Sequence, residues 1–146
     1  GCFDKMVGDC VIGLWGPPFF DASPREACWG AATAAMRIRE LTRRFNDGNF
    51  LPELENLVPP IGVATGLGYA PLCVGLFGPN EDFTGFSSGM NNVARLQGVA
   101  ERDEILCSDA FVSALDEPEI FGEELGAAVK NVKEPLRYRL LQRQPS

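Results

Sequence analysis

The sequence predicts an α/β sandwich in which one mixed sheet is flanked by helices. Three observations lead to this prediction. Short apolar runs bounded by turn residues alternate with longer segments in which apolar residues recur every three or four positions. The 146 residues suit one domain with its own core. Since 45% of the residues are hydrophobic, the chain is expected to fold rather than to stay disordered.

A β-hairpin is expected at the start of the chain. Its first strand covers residues 2–7, and Gly8-Asp9 marks the turn. Residues 10–15 are nearly continuous in apolar character, so we expect this second strand to be buried on both faces. Gly16-Pro17-Pro18 then ends the strand.

A long helix follows the hairpin. Ser23 can cap it, Pro24 suits the first helical position, and Glu26 completes a capping box. Residues 46–49 end the helix. The apolar residues spaced along one face of this helix are Cys28, Ala31, Ala32, Ala35, Ile38, Leu41 and Phe45.

Two strands are expected in the middle of the chain, over residues 61–66 and 72–77, and they are interpreted as a pair. A short extended stretch follows at residues 83–86. Ser88 can then cap a helix. The apolar side of this helix carries Met90, Val93, Ala94 and Leu96.

Three further strands and one short helix complete the predicted fold. Ser108-Asp109 opens the helix, which ends at Leu115. The domain is expected to cover residues 1–141, with residues 142–146 as a tail. The strands lie at residues 105–106, 120–126 and 136–141.

Composition excludes several classes of function. The net charge is -7 and no basic stripe is visible, so no nucleic-acid partner is expected. No apolar run is long enough to span a bilayer and no signal peptide is visible, so no direct membrane contact is expected from this segment, and any membrane anchor or sensor domain would lie outside it. Five cysteines without any histidine predict buried, reduced thiols in a cytoplasmic protein rather than a zinc site. Ser-His-Asp and Cys-His catalysis within this chain are excluded as well, which leaves carboxylates, Lys, Arg, hydroxyls or a metal.

Two clusters could carry such chemistry. Lys5 and Asp9 place a cation and a carboxylate at the tip of the first hairpin. Asn91 and Arg95 are four residues apart and therefore share one helix face, where an amide and a guanidinium can hold sugar and phosphate. Each cluster taken alone also fits an ordinary solvated turn or helix face.

Taken together and in this order, the clusters resemble the class III adenylyl and guanylyl cyclase family. Residues 5–9 match the motif K-x-x-G-D at a hairpin tip. Residues 61–66 resemble the family's strand that ends in Thr-Gly, and residues 134–138 resemble its closing strand. A third motif usually has Gly where this chain has Ser87. The residues that match this third motif are Phe83, Thr84, Met90, Asn91 and Arg95.

The resemblance implies a ferredoxin-like cyclase core and a head-to-tail homodimer with active sites at the interface. It implies that Asp9 is one of two aspartates that bind two Mg²⁺ or Mn²⁺ ions. From the second subunit, Lys5 and Thr84 would recognise the base, while Asn91 and Arg95 would position the ribose and stabilise the transition state. The implied reaction converts ATP to 3′,5′-cyclic AMP and pyrophosphate through attack of the ribose 3′-oxygen on the α-phosphorus.

The residues that would recognise the base predict ATP as the substrate. Adenine N1 accepts a hydrogen bond and the 6-amino group donates one, which matches a Lys donor and a hydroxyl acceptor. Guanine N1 donates, so a carboxylate would suit it better than Lys5. Thr84 stands where the commonest adenylyl cyclases have Asp, and it resembles a subgroup reported to respond to bicarbonate. Since a hydroxyl can also donate, a guanylyl cyclase stays an alternative.

The family's first metal-binding aspartate lies on a strand before the K-x-x-G-D hairpin. The chain is therefore expected to be an N-terminally truncated cyclase domain whose first strand and helices are missing. Alone, it is expected to have little activity. A second alternative is a non-catalytic cyclase-like module that dimerises with, or regulates, an active partner. A third is an unrelated α/β nucleotide-binding domain, although the chain has no G-x-x-x-x-G-K-[ST] phosphate loop.

Overall fold

The computed structural model of the chain describes residues 1–47, 59–79, 82–128 and 135–145. The side chain of Phe83 and residues Gly48, Asn49 and Glu134, which the sequence analysis used, lie outside this description. The strands are β1 (Cys2–Val7), β2 (Cys10–Leu14), β3 (Thr65–Leu67), β4 (Cys73–Phe77), β5 (Asp82–Phe86), β6 (Ile105–Cys107), β7 (Phe121–Ala127) and β8 (Leu136–Leu141), and the helices are α1 (Pro24–Asn46), α2 (Ser88–Val99) and α3 (Asp109–Leu115).

The N-terminal hairpin forms as predicted. β1 and β2 pair antiparallel with Val7 opposite Cys10, which leaves Gly8 and Asp9 as the turn. Gly8 has a φ of 63°, which glycine adopts without steric penalty. The expectation that β2 is buried on both faces is wrong, since half-buried and exposed positions alternate along it and Val11 is exposed. Only one face of this strand packs on the described residues.

Helix α1 begins as its sequence predicts. The Ser23 hydroxyl accepts from the Glu26 N–H, and the Glu26 carboxylate accepts from the Ser23 N–H. Ile38 was expected on the buried face, but it is 49% exposed because it faces an open apolar groove between α1 and the hairpin. The buried face of the helix consists mainly of Ala27, Cys28, Ala31, Ala32 and Ala35.

The predicted mixed sheet is present with four strands in the order β3-β6-β8-β7. β3 and β6 are parallel, and the other two pairs are antiparallel. Within the described residues, two hairpins, β1-β2 and β4-β5, form separate two-stranded sheets. The expected pairing of residues 61–66 with 72–77 is wrong, because β4 pairs with β5 and β3 pairs with the distant β6.

The core lies between α1, α3 and the four-stranded sheet. Cys28 and Cys107 are both buried there, and burial raises the pKa of Cys28 to about 11 and raises the pKa of Cys107 even further. The prediction of buried thiols holds for these two cysteines. It is wrong for Cys73, which is exposed in the β4-β5 hairpin.

The described helices include none long and apolar enough to cross a membrane. After β8, the backbone N–H groups of Gln142 and Arg143 donate to the Ile120 carbonyl oxygen. The division of the chain at residue 141 stays a prediction.

Candidate active site

The two hairpins meet where the sequence analysis expects base recognition. Lys5 Nζ on β1 donates a hydrogen bond to Thr84 Oγ1 on β5 over 2.5 Å. These residues are 79 positions apart, so only tertiary packing brings them together. Two of the five residues expected in the site are therefore in direct contact.

Asp4 lies beside both residues of this contact, although no sequence motif pointed to it. Its side chain is 0% exposed. Asp4 Oδ1 accepts from the Gly85 N–H over 3.2 Å, while Oδ2 lies 3.4 Å from Thr84 Oγ1 and 3.4 Å from Lys5 Nζ. A buried carboxylate requires such partners, because an unpaired charge in the interior is costly.

A β-bulge in β1 explains how the neighbouring residues Asp4 and Lys5 both contact Thr84. Phe3 lies opposite Gly13 and Lys5 lies opposite Ile12, which leaves Asp4 as an extra residue in β1. In a regular strand, successive side chains point to opposite faces. A bulge redirects the side chains beside it. Asp4 and Lys5 can therefore both approach Thr84, a convergence that the alternation of polar and apolar residues could not have indicated.

Gly85 allows the two hairpins to pack closely. A Cβ added at Gly85 would lie 3.0 Å from a methyl carbon of Leu72 and 3.2 Å from one of Leu14. Leu14 ends β2, so the first hairpin packs directly on the backbone of β5 at this glycine. This approach also brings the Gly85 N–H within reach of Asp4.

Asn91 and Arg95 are exposed on α2, which follows β5 directly. The helix is capped by Ser87 rather than by Ser88, since the Ser87 hydroxyl accepts from the Met90 N–H over 3.2 Å. The departure from the family motif at position 87 thus places a capping side chain at the start of this helix. Arg95 Nη1 donates to Asn92 Oδ1 over 3.0 Å.

Asp9 is exposed in the turn of the first hairpin. Among the residues that the structure describes, no group of three or more His, Cys, Asp or Glu could hold a metal ion. Mg²⁺ commonly binds one or two carboxylates together with substrate phosphates. Asp9 therefore fits as one ligand of such an ion, and the other ligands would have to come from the substrate and from groups other than the described ones.

No protein-family model and no curated protein matches the chain, whereas several solved structures do. The adenylyl cyclase CyaB from P. aeruginosa is 24% identical with a TM-score of 0.82, and the match covers 100% of this chain and 74% of that chain. The guanylyl cyclase Cya2 is 17% identical with a TM-score of 0.80, over 96% of this chain and 69% of that chain. The guanylate cyclase domain of RhGC from Catenaria anguillulae, in complex with GTP, is 20% identical with a TM-score of 0.75. The match covers 97% of this chain and 72% of that chain.

These neighbours are catalytic domains of class III adenylyl and guanylyl cyclases, and the chain shares their fold. The fold that the sequence motifs predict is therefore confirmed. Since both kinds of cyclase have this fold, the choice of nucleotide has to be argued from the site residues.

Proposed function

We propose that this chain, which has the fold of class III cyclase catalytic domains, is part of a catalytic domain that converts ATP to 3′,5′-cyclic AMP and pyrophosphate. The observation that supports this function most directly is the contact between Lys5 and Thr84. The motif resemblance assigns base recognition to these two residues, and they come from separate hairpins. Because the two residues are 79 positions apart, tertiary packing and not proximity in the sequence brings them into contact.

The chemistry of Lys5 favours adenine. An ammonium group has three donors and no acceptor, so it can meet adenine N1, which accepts, but not guanine N1, which donates. The Lys5 side chain is 38% exposed, so it remains accessible to a ligand while it contacts Thr84. Thr84 would face the substituent at position 6 of the base.

Asn91 and Arg95 are proposed to act on the ribose and the phosphates. Their side chains are exposed and share one face of α2. The Arg95 guanidinium would provide positive charge where negative charge develops on the phosphoryl oxygens. Loss of a preorganised donor of this kind costs about 10²–10³ in turnover.

Asp9 is proposed to hold a divalent cation, Mg²⁺ or Mn²⁺, which would neutralise phosphate charge and favour ionisation of the 3′-hydroxyl group. The complete site is proposed to form between two head-to-tail copies, with Asp9 from one copy and Lys5, Thr84, Asn91 and Arg95 from the other. Exposed apolar side chains beside the Asp9 turn support an interface there, because exposed apolar surface often marks an interaction site. These side chains are Met6, Val7 and Val11.

The test is a cyclisation assay of the full-length protein with ATP and with GTP, in Mg²⁺ or Mn²⁺. The expected product is cyclic AMP. Lys5→Gln should lower its formation, while Arg44→Gln, which removes an exposed charge near the end of α1, should not. Cyclic GMP as the main product would favour the guanylyl cyclase alternative. Nucleotide binding without any cyclic product would favour a non-catalytic module.

A further inference from the structure

We propose that Asp4 is a positioning residue that fixes the Thr84 hydroxyl as a hydrogen-bond acceptor toward the base, and so selects a purine with a 6-amino group. The proposal rests on the proposed function, because it assumes that Lys5 and Thr84 face the base. Asp4 would not contact the substrate itself. It would determine which way the Thr84 proton points.

The direction of that proton follows from a count of donors and acceptors. The Lys5 ammonium has no lone pair, so in its contact with Thr84 it donates and the hydroxyl oxygen accepts. Thr84 has a single proton of its own to donate. Asp4 Oδ2 lies 3.4 Å from Thr84 Oγ1, and a carboxylate only accepts. The Thr84 proton therefore points at Asp4.

This arrangement leaves a defined pattern for a ligand. The Thr84 oxygen has one lone pair left after it accepts from Lys5, so toward a ligand it is an acceptor. The Lys5 ammonium has a further N–H available beyond those directed at Thr84 and Asp4. A 6-amino purine offers the complementary donor and acceptor. A 6-oxo group opposite Thr84 would have to accept a hydrogen bond from the Thr84 hydroxyl, but the only proton of that hydroxyl is already donated to Asp4.

Asp4 is well held for this role. Its side chain is completely buried, its other oxygen accepts from the Gly85 backbone N–H, and the bulge directs it toward Thr84. Backbone donors do not rotate, so the carboxylate orientation is set before any nucleotide binds. A preorganised group discriminates well because little reorganisation accompanies binding.

Asp4→Asn tests the proposal. The Gly85 N–H requires an acceptor, so the amide oxygen should stay there and the amide NH₂ should face Thr84. Thr84 would then accept from Asn and turn its own proton toward the base. The kcat/KM ratio of ATP to GTP is expected to fall about tenfold, the typical effect of one misdirected hydrogen bond.

A merely structural role of Asp4 would lower the melting temperature without moving this ratio. Glu117→Gln is the matched control, since Glu117 is another buried carboxylate, whose Oε1 lies 2.6 Å from Arg25 Nη2 at the junction of α1 and α3. It should lower stability and leave the ratio unchanged. In a Thr84→Val background, Asp4→Asn should have no further effect on the ratio, because the hydroxyl that it redirects is gone.

Equilibrium binding of ATP and GTP to the same full-length variants separates this proposal from the proposed function. Cyclic AMP formation with an ATP preference that Asp4→Asn leaves intact would overturn the role of Asp4 alone. Absent turnover, together with a binding preference for ATP that Asp4→Asn reduces, would overturn the catalytic function and support the role of Asp4. If Asp4→Asn does not fold, Thr84→Val provides the measurement, and an unchanged preference in that variant would overturn the proposal.

Discussion

Gly66 in β3 lies directly against the backbone of α2 at Val93. A Cβ added at Gly66 would be 2.5 Å from the Val93 carbonyl oxygen and 2.9 Å from the backbone nitrogen of Gln97. Both are backbone atoms, so neither can move aside by rotating a side chain. The position of the helix that carries Asn91 and Arg95 therefore depends on this glycine.

Gly66→Ala is expected to displace α2 and to destabilise the fold by about 1–3 kcal/mol, the usual cost of overpacking. Because Asn91 and Arg95 would shift together, turnover should fall about tenfold or more with either nucleotide, since small displacements at a reacting site are costly. Thermal unfolding and steady-state kinetics measure the two effects. Gly98→Ala is the control, because a Cβ at Gly98 in the same helix meets nothing within 4 Å. Unchanged turnover in Gly66→Ala would contradict the expectation that turnover depends on the close packing of α2 against Gly66.

Lys5 and Arg95 should affect selectivity differently. Lys5→Glu places an acceptor opposite adenine N1, so kcat/KM for ATP should fall by about one to two decades and the preference for ATP should shrink. Lys5→Gln is the matched variant, because it removes the ammonium group without placing a second carboxylate beside that of Asp4. Asp4 Oδ2 lies 3.4 Å from Lys5 Nζ. Arg95→Ala should lower turnover about 10²–10³-fold with either nucleotide. The assigned roles are reversed if Arg95→Ala shifts the nucleotide ratio and Lys5→Glu does not.

Asp9 should act in metal binding and across the dimer. Asp9→Asn should lower turnover and raise the Mg²⁺ or Mn²⁺ concentration needed for half-maximal rate, because one charged ligand is lost. In the proposed head-to-tail arrangement, a mixture of Asp9→Asn and Arg95→Ala should be more active than either variant alone, since one of the two sites in a mixed dimer has both groups intact. Activity no higher than that of the separate variants, in a mixture shown to contain mixed dimers, would contradict the shared site.

Cys28 should make the fold sensitive to alkaline pH. Burial raises its pKa from 9.0 to about 11, so the folded state retains a proton that the unfolded state loses above pH 9. This contribution to stability is complete below pH 9 and is lost as the pH rises toward 11. Denaturant unfolding at pH 8 to 11 should show the decline, and Cys28→Ala should reduce its slope. Cys73→Ala, at an exposed cysteine, should keep the slope of the wild type.

The sequence predicts those elements whose signals are local. The capping box at Ser23 and Glu26, the Gly8 turn and the Ser108 cap each depend on residues within a few positions, and the structure contains all three. Strand pairing was harder to predict. The three residues of β3 form a parallel ladder with β6, roughly forty residues further along the chain, and no local pattern indicates such a partner.

The same distinction applies to the site. Lys5 and Thr84 were found through motifs, and the structure brings them together. Asp4 was missed because regular alternation places it on the face opposite Lys5, and a bulge is not visible in a periodic pattern. Gly85 gave no local signal either, since its close contacts come from Leu14 and Leu72.

The contact between the β1-β2 and β4-β5 hairpins also determines which segments would have to be exchanged together between related domains. One hairpin contributes Asp4 and Lys5, and the other contributes Thr84 together with the Gly85 N–H. With the proposed roles of these residues, neither hairpin alone would encode a nucleotide preference. A chimera that receives only the first hairpin from a cyclase of different selectivity would combine the donor's residues at positions 4 and 5 with the recipient's residues at positions 84 and 85. We expect these residues not to match each other, so the chimera should not acquire the donor's choice of base. Selectivity should transfer only when β1-β2 and β4-β5 are exchanged as a pair.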